Sequence, residues 1–168
     1  MKILFLGDVL GPSGCKSVQG YLPQIKKKNE IDFVIANGEN AADSGVGITE
    51  KITENLFNSG VDVITSGNHI WDQKETIEHI TREKRLLRPE NFIEGTPGRG
   101  FETFIAPSGE KIAVLNLMGN IFMKKCDDVF ETAKKFIQTV KLKRDADFII
   151  VDLHGEITSE KMAMGYFF

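Results

Sequence analysis

Short apolar segments alternate with longer amphipathic segments, and this alternation is the feature that most constrains the fold of the chain. Strands are predicted over 2–7, 31–37, 61–66, 101–107, 111–117 and 147–153. These segments carry few polar residues on either face, so both of their faces must be covered. The pattern predicts an α/β fold with a mixed, mainly parallel sheet and helices on both faces.

The intervening segments place apolar residues at helical spacing. Helices are predicted over 13–28, 49–58 and about 72–84, with a further helix after Asp127 or Asp128 and a last one from Thr158. Residues 88–100 are expected to form a loop, because they contain prolines and glycines. In the first helix, Ser13 is the expected N-cap, and helical spacing is shown by Val18, Tyr21, Leu22 and Ile25. Gly60 should lie just past the end of the second helix, and His79 should lie at the surface. The inner face of the helix after Asp127 or Asp128 should consist of Val129, Ala133, Phe136, Ile137 and Val140.

Composition limits the possible classes of protein. The 168 residues suffice for one domain with its own core, and a net charge of −3 does not suggest a broad nucleic-acid-binding surface. Cys15 and Cys126 are far apart without a CxxC motif, so we expect neither a disulfide scaffold nor a zinc ribbon. Asp8 interrupts the apolar N-terminus, and no apolar stretch is long enough for a membrane span, so a cytoplasmic protein is expected.

The unusual polar residues all follow predicted strands. Asp8, the Glu39-Asn40 pair, the Asn68-His69 pair and His154 each come directly after one of them, and Gly7, Gly38 and Gly67 precede three of these positions. Open α/β sheets bind ligands beyond the carboxyl ends of their strands. We therefore expect these side chains to meet at one edge of the sheet.

The residue types at this edge suit a metal ion. Asp and Glu supply anionic oxygens, Asn a neutral oxygen and His a nitrogen, a mixture that favours Mn, Fe or Zn over calcium. Taken singly, each residue has a structural explanation, since Asp8 could cap a turn and Asn40 or Asn68 could occupy a left-handed turn position. The joint occurrence at four strand ends is what favours a site.

The motifs GDVLG (7–11), GEN (38–40), GNHIWD (67–72) and DLHGE (152–156), together with LLRPENFIEGTPGRG (86–100), resemble the calcineurin-like metallophosphoesterases. The closest resemblance is to the bacterial YmdB-type branch, whose members act on 2′,3′-cyclic nucleotides. The resemblance runs through the whole chain in order. It implies hydrolysis of phosphodiesters by a metal-bound hydroxide.

The resemblance also implies roles for individual residues. Two divalent or trivalent transition-metal ions are expected, most naturally Fe or Mn, with Zn or Mg as alternatives. Asp8, Glu39 and Asn40 would bind one ion, while Glu39, Asn68 and His154 would bind the other, with Glu39 as the bridge. His69 would be the catalytic residue, acting as an acid or electrostatic group beside the phosphate.

The chain departs from the family pattern at its C-terminal end. The family continues with a GTHTH motif whose two histidines complete both metal shells, whereas this sequence stops at Phe168. We therefore expect an incomplete single domain over 1–168, weak metal binding and little or no activity. The apolar tail Met162, Met164, Tyr166, Phe167 and Phe168 suggests a homo-oligomer.

Two alternative functions remain open. A P-loop nucleotide-binding protein is disfavoured, because Cys15 separates Gly14 from Lys16 and breaks the Gly-Lys-Ser/Thr triplet. A dinucleotide-binding Rossmann domain is disfavoured because the first turn lacks GxGxxG. The second alternative is a non-catalytic nucleotide-binding or regulatory module of the same fold.

Overall fold

The computed structural model describes residues 1–168. Its elements in chain order are β1 (Ile3–Leu6), α1 (Gly11–Asn29), β2 (Phe33–Asn37), α2 (Glu50–Asn58), β3 (Val63–Thr65), α3 (Thr76–Arg82), β4 (Phe101–Ile105), β5 (Lys111–Met118), α4 (Val129–Thr139), β6 (Phe148–His154) and α5 (Thr158–Phe167). The predicted α/β class, with mixed and mainly parallel strands, is confirmed.

The strands form two sheets of three strands each. In the first sheet, β1, β2 and β3 lie side by side in parallel. In the second sheet, β4 and β5 form an antiparallel hairpin, and β6 pairs with β5 in parallel. The sequence pattern did not predict that the strands divide into two sheets.

Alternate residues of the central strands enter different apolar layers. In β2, Val34 and Ala36 pack in a cluster with the helices α1 and α2, whereas Phe33 and Ile35 pack in a cluster with Ile112 of β5. The opposite face of β5 packs against α4 and α5. The order of layers is therefore helices, sheet, sheet, helices, and the buried strands are apolar throughout because both of their faces are covered.

A buried asparagine joins the two sheets by hydrogen bonds. Asn116 of β5 is fully buried, and its side chain accepts from the backbone N–H of Ser66 at 2.9 Å and donates to the Ser66 carbonyl at 3.0 Å. Ser66 directly follows β3. Asn116 also donates to the Asp152 carbonyl of β6 at 3.3 Å. This side chain satisfies backbone groups where no strand pairing is available.

Several local predictions are confirmed. Asp128 caps α4, since its side chain accepts from the Glu131 backbone N–H at 2.8 Å. Gly60 lies just beyond α2 with a φ of +104°, a conformation that glycine adopts readily. Residues 88–100 contain no helix or strand, and both cysteines are free. Apart from these predictions, none of the five helices has both the length and the apolar character of a membrane span.

Other local predictions were wrong. α1 begins at Gly11, so Ser13 lies inside the helix and does not cap it. The helical spacing of Val18, Tyr21, Leu22 and Ile25 did predict a helix, but Tyr21 and Ile25 are exposed and Leu22 is buried. His79 is buried rather than at the surface, because α3 packs it against Glu50 at the start of α2, with 3.4 Å between Nδ1 and Oε1.

The C-terminal helix leaves much of its apolar surface exposed. Met164 is buried among the residues that cover the second sheet, whereas Met162, Tyr166 and Phe168 are exposed. Phe167 packs edge-on against Phe130, with ring centroids 5.6 Å apart. Self-association through this helix stays a prediction.

Replacing Asn116 with leucine should destabilise the protein strongly. The Asn116→Leu substitution would leave the buried N–H and carbonyl of Ser66 without partners, and we expect the free energy of unfolding to fall by about 2–4 kcal/mol. Urea denaturation monitored by circular dichroism measures this change. Asn58→Ala, at an exposed position of α2, is the control. Equal stability of the two variants would show that the link between the sheets is unimportant.

Candidate metal centre

The side chains singled out in the sequence do lie at one edge of the molecule. Asp8 follows β1, Glu39 follows β2 and Asn68 follows β3, while His154 is the last residue of β6 rather than the first residue after it. These strands run parallel within their sheets, so their carboxyl ends share an edge. The edge therefore receives ligand-type groups from both sheets.

Asp8, Asn40 and Glu39 form one half of the site. The Asn40 amide donates to the two carboxylate oxygens of Asp8 at 2.9 and 3.1 Å. The same amide nitrogen lies 3.2 Å from Glu39 Oε1. One amide group thus connects two carboxylates that are far apart in the sequence.

His154, Asn68 and Glu39 form the other half. His154 Nε2 lies 2.8 Å from Asn68 Oδ1 and 3.3 Å from Glu39 Oε1. Glu39 Oε1 is therefore close to both halves, and all five predicted ligands belong to one continuous set of contacts. A cleft of about 210 Å³ beside them is lined by Asp8 and His154. A larger cavity of about 570 Å³ lies between α1 and α2, and none of the five side chains lines it.

Glu39 is the most strongly perturbed group of the site. It is only 3 % exposed, and its Oε2 has no hydrogen-bond partner of good geometry. Burial raises the pKa of this carboxyl, and the nearby Asp8 raises it further, whereas His154 and His69 act in the opposite direction. Burial of an acid without full compensation is costly, and such groups are concentrated at functional sites.

The donor set can be tested for its fit to a cation. No group of three or more His, Cys, Asp and Glu side chains is arranged so that it could hold a metal ion. The Asn40 amide instead donates to the Asp8 carboxylate, and the Asn68 amide oxygen lies at hydrogen-bond distance from the His154 imidazole. Turning the Asn40 amide would direct its oxygen toward the carboxylates. With that change the oxygen and nitrogen donors, including the unpartnered Glu39 Oε2, suit a transition-metal ion.

A backbone and side-chain network holds Glu39 in place. The Glu39 N–H donates to Asn37 Oδ1 at 3.1 Å, and the Asn37 amide donates to Asp152 Oδ2 of β6 at 2.9 Å. Asn37 thereby connects the loop that carries Glu39 to the strand that carries His154. The sequence analysis had not identified Asn37 or Asp152, although the latter lies in the DLHGE motif.

His69 is oriented by two residues that the sequence analysis also missed. Its Nδ1 lies 2.5 Å from Asp72 Oδ2. Lys124, in the loop between β5 and α4, lies 3.7 Å from Asp72 Oδ1 and donates to the Asn68 carbonyl at 2.9 Å. The i, i+3 spacing of His69 and Asp72 within GNHIWD was a signal for the first contact. No sequence signal pointed to Lys124.

Gly67 is required by close packing inside the site. A Cβ atom at this position would overlap Glu39 Oε2 and come within 2.6 Å of the His154 ring. Gly7, which precedes Asp8 in the same way, has open space at the corresponding position. Only one of these two glycines is therefore needed to make room for neighbouring site residues.

The sequence model of the YmdB-like protein family matches residues 4–168. The chain belongs to this family. It is 46% identical over 167 residues to a 2′,3′-cyclic-nucleotide 2′-phosphodiesterase of Bacillus subtilis, a match that covers 99% of this chain and 62% of the relative. Family membership gives no support to the P-loop or Rossmann alternatives.

Solved structures of YmdB-like relatives have the same fold. A hypothetical protein from Thermus thermophilus superposes with a TM-score of 0.90 at 39% identity, over 99% of this chain and 63% of that one. A structure described as a novel phosphatase from Mycoplasma pneumoniae gives a TM-score of 0.88 at 37% identity, over 100% and 60% of the two chains. The chain thus spans about three fifths of the length of these relatives.

Introducing a methyl group at Gly67 should disturb the site. In Gly67→Ala, Glu39 and His154 must move apart, so we expect a loss of about 1–3 kcal/mol in the free energy of unfolding. Gly7→Ala is the matched control, since its new methyl group meets no atom within 4 Å. Thermal and urea denaturation of both variants measure the difference. A Gly67→Ala protein as stable as Gly7→Ala would contradict the packing described here.

Neutralising Glu39 should stabilise the metal-free protein at neutral pH. The pKa of Glu39 is higher in the folded chain than in the unfolded chain. The protonated carboxyl therefore contributes its full stability below about pH 4, and this contribution is lost as the pH rises through the folded pKa. Glu39→Gln avoids this loss. We therefore expect the variant to exceed the wild type in stability at pH 7, with the difference shrinking toward pH 4.

Urea denaturation in the presence of a chelator, at a series of pH values, tests this expectation. Glu54→Gln, at an exposed position of α2, is the control for removing a glutamate charge. Added Mn²⁺ should reverse the advantage of Glu39→Gln if Glu39 binds the ion. If the wild type is more stable than Glu39→Gln at pH 7 without metal, burial of the ionised Glu39 carboxylate does not destabilise the folded chain.

Proposed function

We propose that this chain carries the site of a metal-dependent phosphoesterase that hydrolyses phosphodiesters such as 2′,3′-cyclic nucleotides. The observation that carries the proposal is the position of Glu39. Its buried carboxylate contacts both the Asp8–Asn40 pair and the Asn68–His154 pair, and one of its oxygens lacks a partner. A carboxylate in this position can bridge two cations.

The proposed ligand sets follow these contacts. Asp8, Glu39 and Asn40 would hold one ion, and Glu39, Asn68 and His154 would hold the other. Fe or Mn is the preferred metal, and Zn or Mg is the alternative, in accord with the mixture of oxygen and nitrogen donors. Bound ions would supply a nucleophile at neutral pH and neutralise charge on the phosphoryl oxygens. These five side chains would leave further coordination positions on both ions, which water or other donors would fill.

His69 is the proposed catalytic residue. Asp72 accepts from its Nδ1–H, which fixes the ring and leaves Nε2 for the substrate. The protonated ring can donate to the departing ribose oxygen or to a phosphoryl oxygen. Opening of a cyclic phosphodiester would then leave a monoester. Asp72 is a positioning residue in this scheme, and Lys124 holds Asp72 in turn.

The similarity to the Bacillus subtilis phosphodiesterase supports the choice of substrate class. That relative is named for its action on 2′,3′-cyclic nucleotides, and every residue assigned here lies within the shared 167 residues. The Mycoplasma pneumoniae structure described as a phosphatase supports phosphate-ester chemistry more generally. The activity is proposed for this chain by extension from those proteins.

A non-catalytic nucleotide-binding module is the second candidate. The observation that favours it is the mutual pairing of the potential ligands, in which each asparagine amide contacts a group that would otherwise face an ion. Such a module would bind nucleotide without hydrolysing it. Turnover of a phosphodiester in the presence of metal separates this candidate from the enzyme.

Three substitutions test the proposed roles. Glu39→Ala and Asp8→Ala should reduce the Mn²⁺ content measured by elemental analysis after dialysis. His69→Ala should retain metal but lose about 10²- to 10⁴-fold in metal-dependent hydrolysis of bis-p-nitrophenyl phosphate. Asp145→Ala is the control, because Asp145 is a partly exposed acid before β6, at the opposite end of that strand from His154. Unchanged metal content in both acidic-site variants would refute the metal centre.

A further inference from the structure

The loop between β5 and α4 carries an apolar tip that the core does not use. We define the tip loop as residues 120–126. Phe122 is 85% exposed and Ile121 is 44% exposed. Burial of an aromatic side chain removes a large apolar area from water, and Phe122 does not obtain this gain within the folded chain.

The backbone of Phe122 is held in an unfavourable conformation. Its φ is +61°, in the left-handed region that residues with a Cβ atom rarely adopt. An observed outlier of this kind is a reason to look for a function, because surrounding structure must maintain it. The feature to explain is thus an aromatic ring that is both exposed and presented by strained backbone.

The base of the tip loop is firmly closed. The Asn120 amide donates to Cys126 Sγ at 3.3 Å and to the Asp127 carbonyl at 3.0 Å, and Asn120 Oδ1 accepts from the Val129 N–H at 2.9 Å. The Asn120 backbone N–H donates at 2.8 Å to Glu160, a carboxylate that is only 6% exposed. These contacts hold the two ends of the loop together.

The tip loop is also tied to the candidate catalytic edge. Lys124 donates to the Asn68 carbonyl at 2.9 Å and lies 3.7 Å from Asp72, the residue that orients His69. Phe122 is two residues from Lys124, so their Cα atoms are at most about 7.6 Å apart. Phe122 is thus joined to the candidate catalytic edge through a short chain segment and the Lys124 side chain.

We infer that Phe122 is a specificity-determining residue that stacks on the nucleobase of a nucleotide whose phosphate occupies the metal site. This inference rests on the proposed function. Aromatic side chains stack on any base, since every base has a π-face. The tip loop would therefore favour nucleotides over phosphodiesters without a base while discriminating little among bases.

Binding measurements on the 168-residue chain with Mn²⁺ test the inference. Isothermal titration calorimetry would compare adenosine 3′-monophosphate, which contains no diester bond, with ribose 3-phosphate, which lacks the base. We expect the wild type to prefer the nucleotide, and we expect Phe122→Ala and Phe122→Leu to reduce this preference about tenfold. Phe122→Trp should preserve it, because a stacking surface remains.

The controls separate stacking from general damage. Ile105→Ala removes a similarly exposed apolar side chain on β4 and should leave the preference unchanged. The thermal midpoint of each Phe122 variant should equal that of the wild type, because an exposed ring contributes little packing.

Equal binding of both ligands by the wild type, or a preference that survives Phe122→Ala, would overturn the inference while leaving the proposed phosphate site intact. A preference lost in Phe122→Ala but kept in Phe122→Leu would overturn stacking in favour of simple apolar contact. Binding of neither ligand by the wild type would overturn both this inference and the proposed function on which it depends.

Discussion

The burial of the Glu39 carboxylate between the two sheets is the constraint on which the rest of the site depends. A carboxylate that is 3% exposed and has an unpartnered oxygen is costly unless nearby groups compensate it. His154 supplies part of that compensation from the second sheet. Gly67 leaves the space that the carboxylate and the imidazole occupy. The cost makes sense if a cation supplies the remaining compensation.

The same edge is also where side-chain hydrogen bonds replace strand pairing between the sheets. Asn116 binds the backbone of Ser66 across the interface, and Asn37 reaches Asp152. Both links lie within a few residues of proposed ligands. Folding of the two sheets against each other therefore builds the site, because the ligands on the first sheet meet His154 only when these links form.

A second network of contacts extends from the proposed site to the tip loop. Asp72 orients His69, and Lys124 connects Asp72 to the loop that displays Phe122. The chemistry proposed for the phosphate and the contact proposed for the base are therefore carried by one connected group of residues. The proposed metal ligands come mainly from the first sheet, whereas Lys124 and Phe122 come from the loop that follows β5 of the second. Both sheets can contribute residues to one site because they share an edge.

The α/β class, the approximate strand positions and the residues at the strand ends could all be predicted from the amino-acid sequence. Apolar periodicity reports which residues are buried, and Asp8, Glu39, Asn68 and His154 were visible because they interrupt that pattern. Their shared edge followed from the parallel direction of the strands. Their roles as ligands came from the family resemblance and remain proposals.

The partner that covers each buried face could not be predicted without the folded structure. A strand such as β2, apolar on both sides, has the same pattern whether its neighbour is a helix or a second sheet, so the two-sheet layering was not predictable. For the same reason His79 was misplaced, since its burial depends on packing between α3 and α2. The contacts of Asn116 with Ser66 and of Lys124 with Asn68 join residues 50 and 56 positions apart. Local sequence patterns do not predict such pairs, because the two residues meet only once the chain has folded.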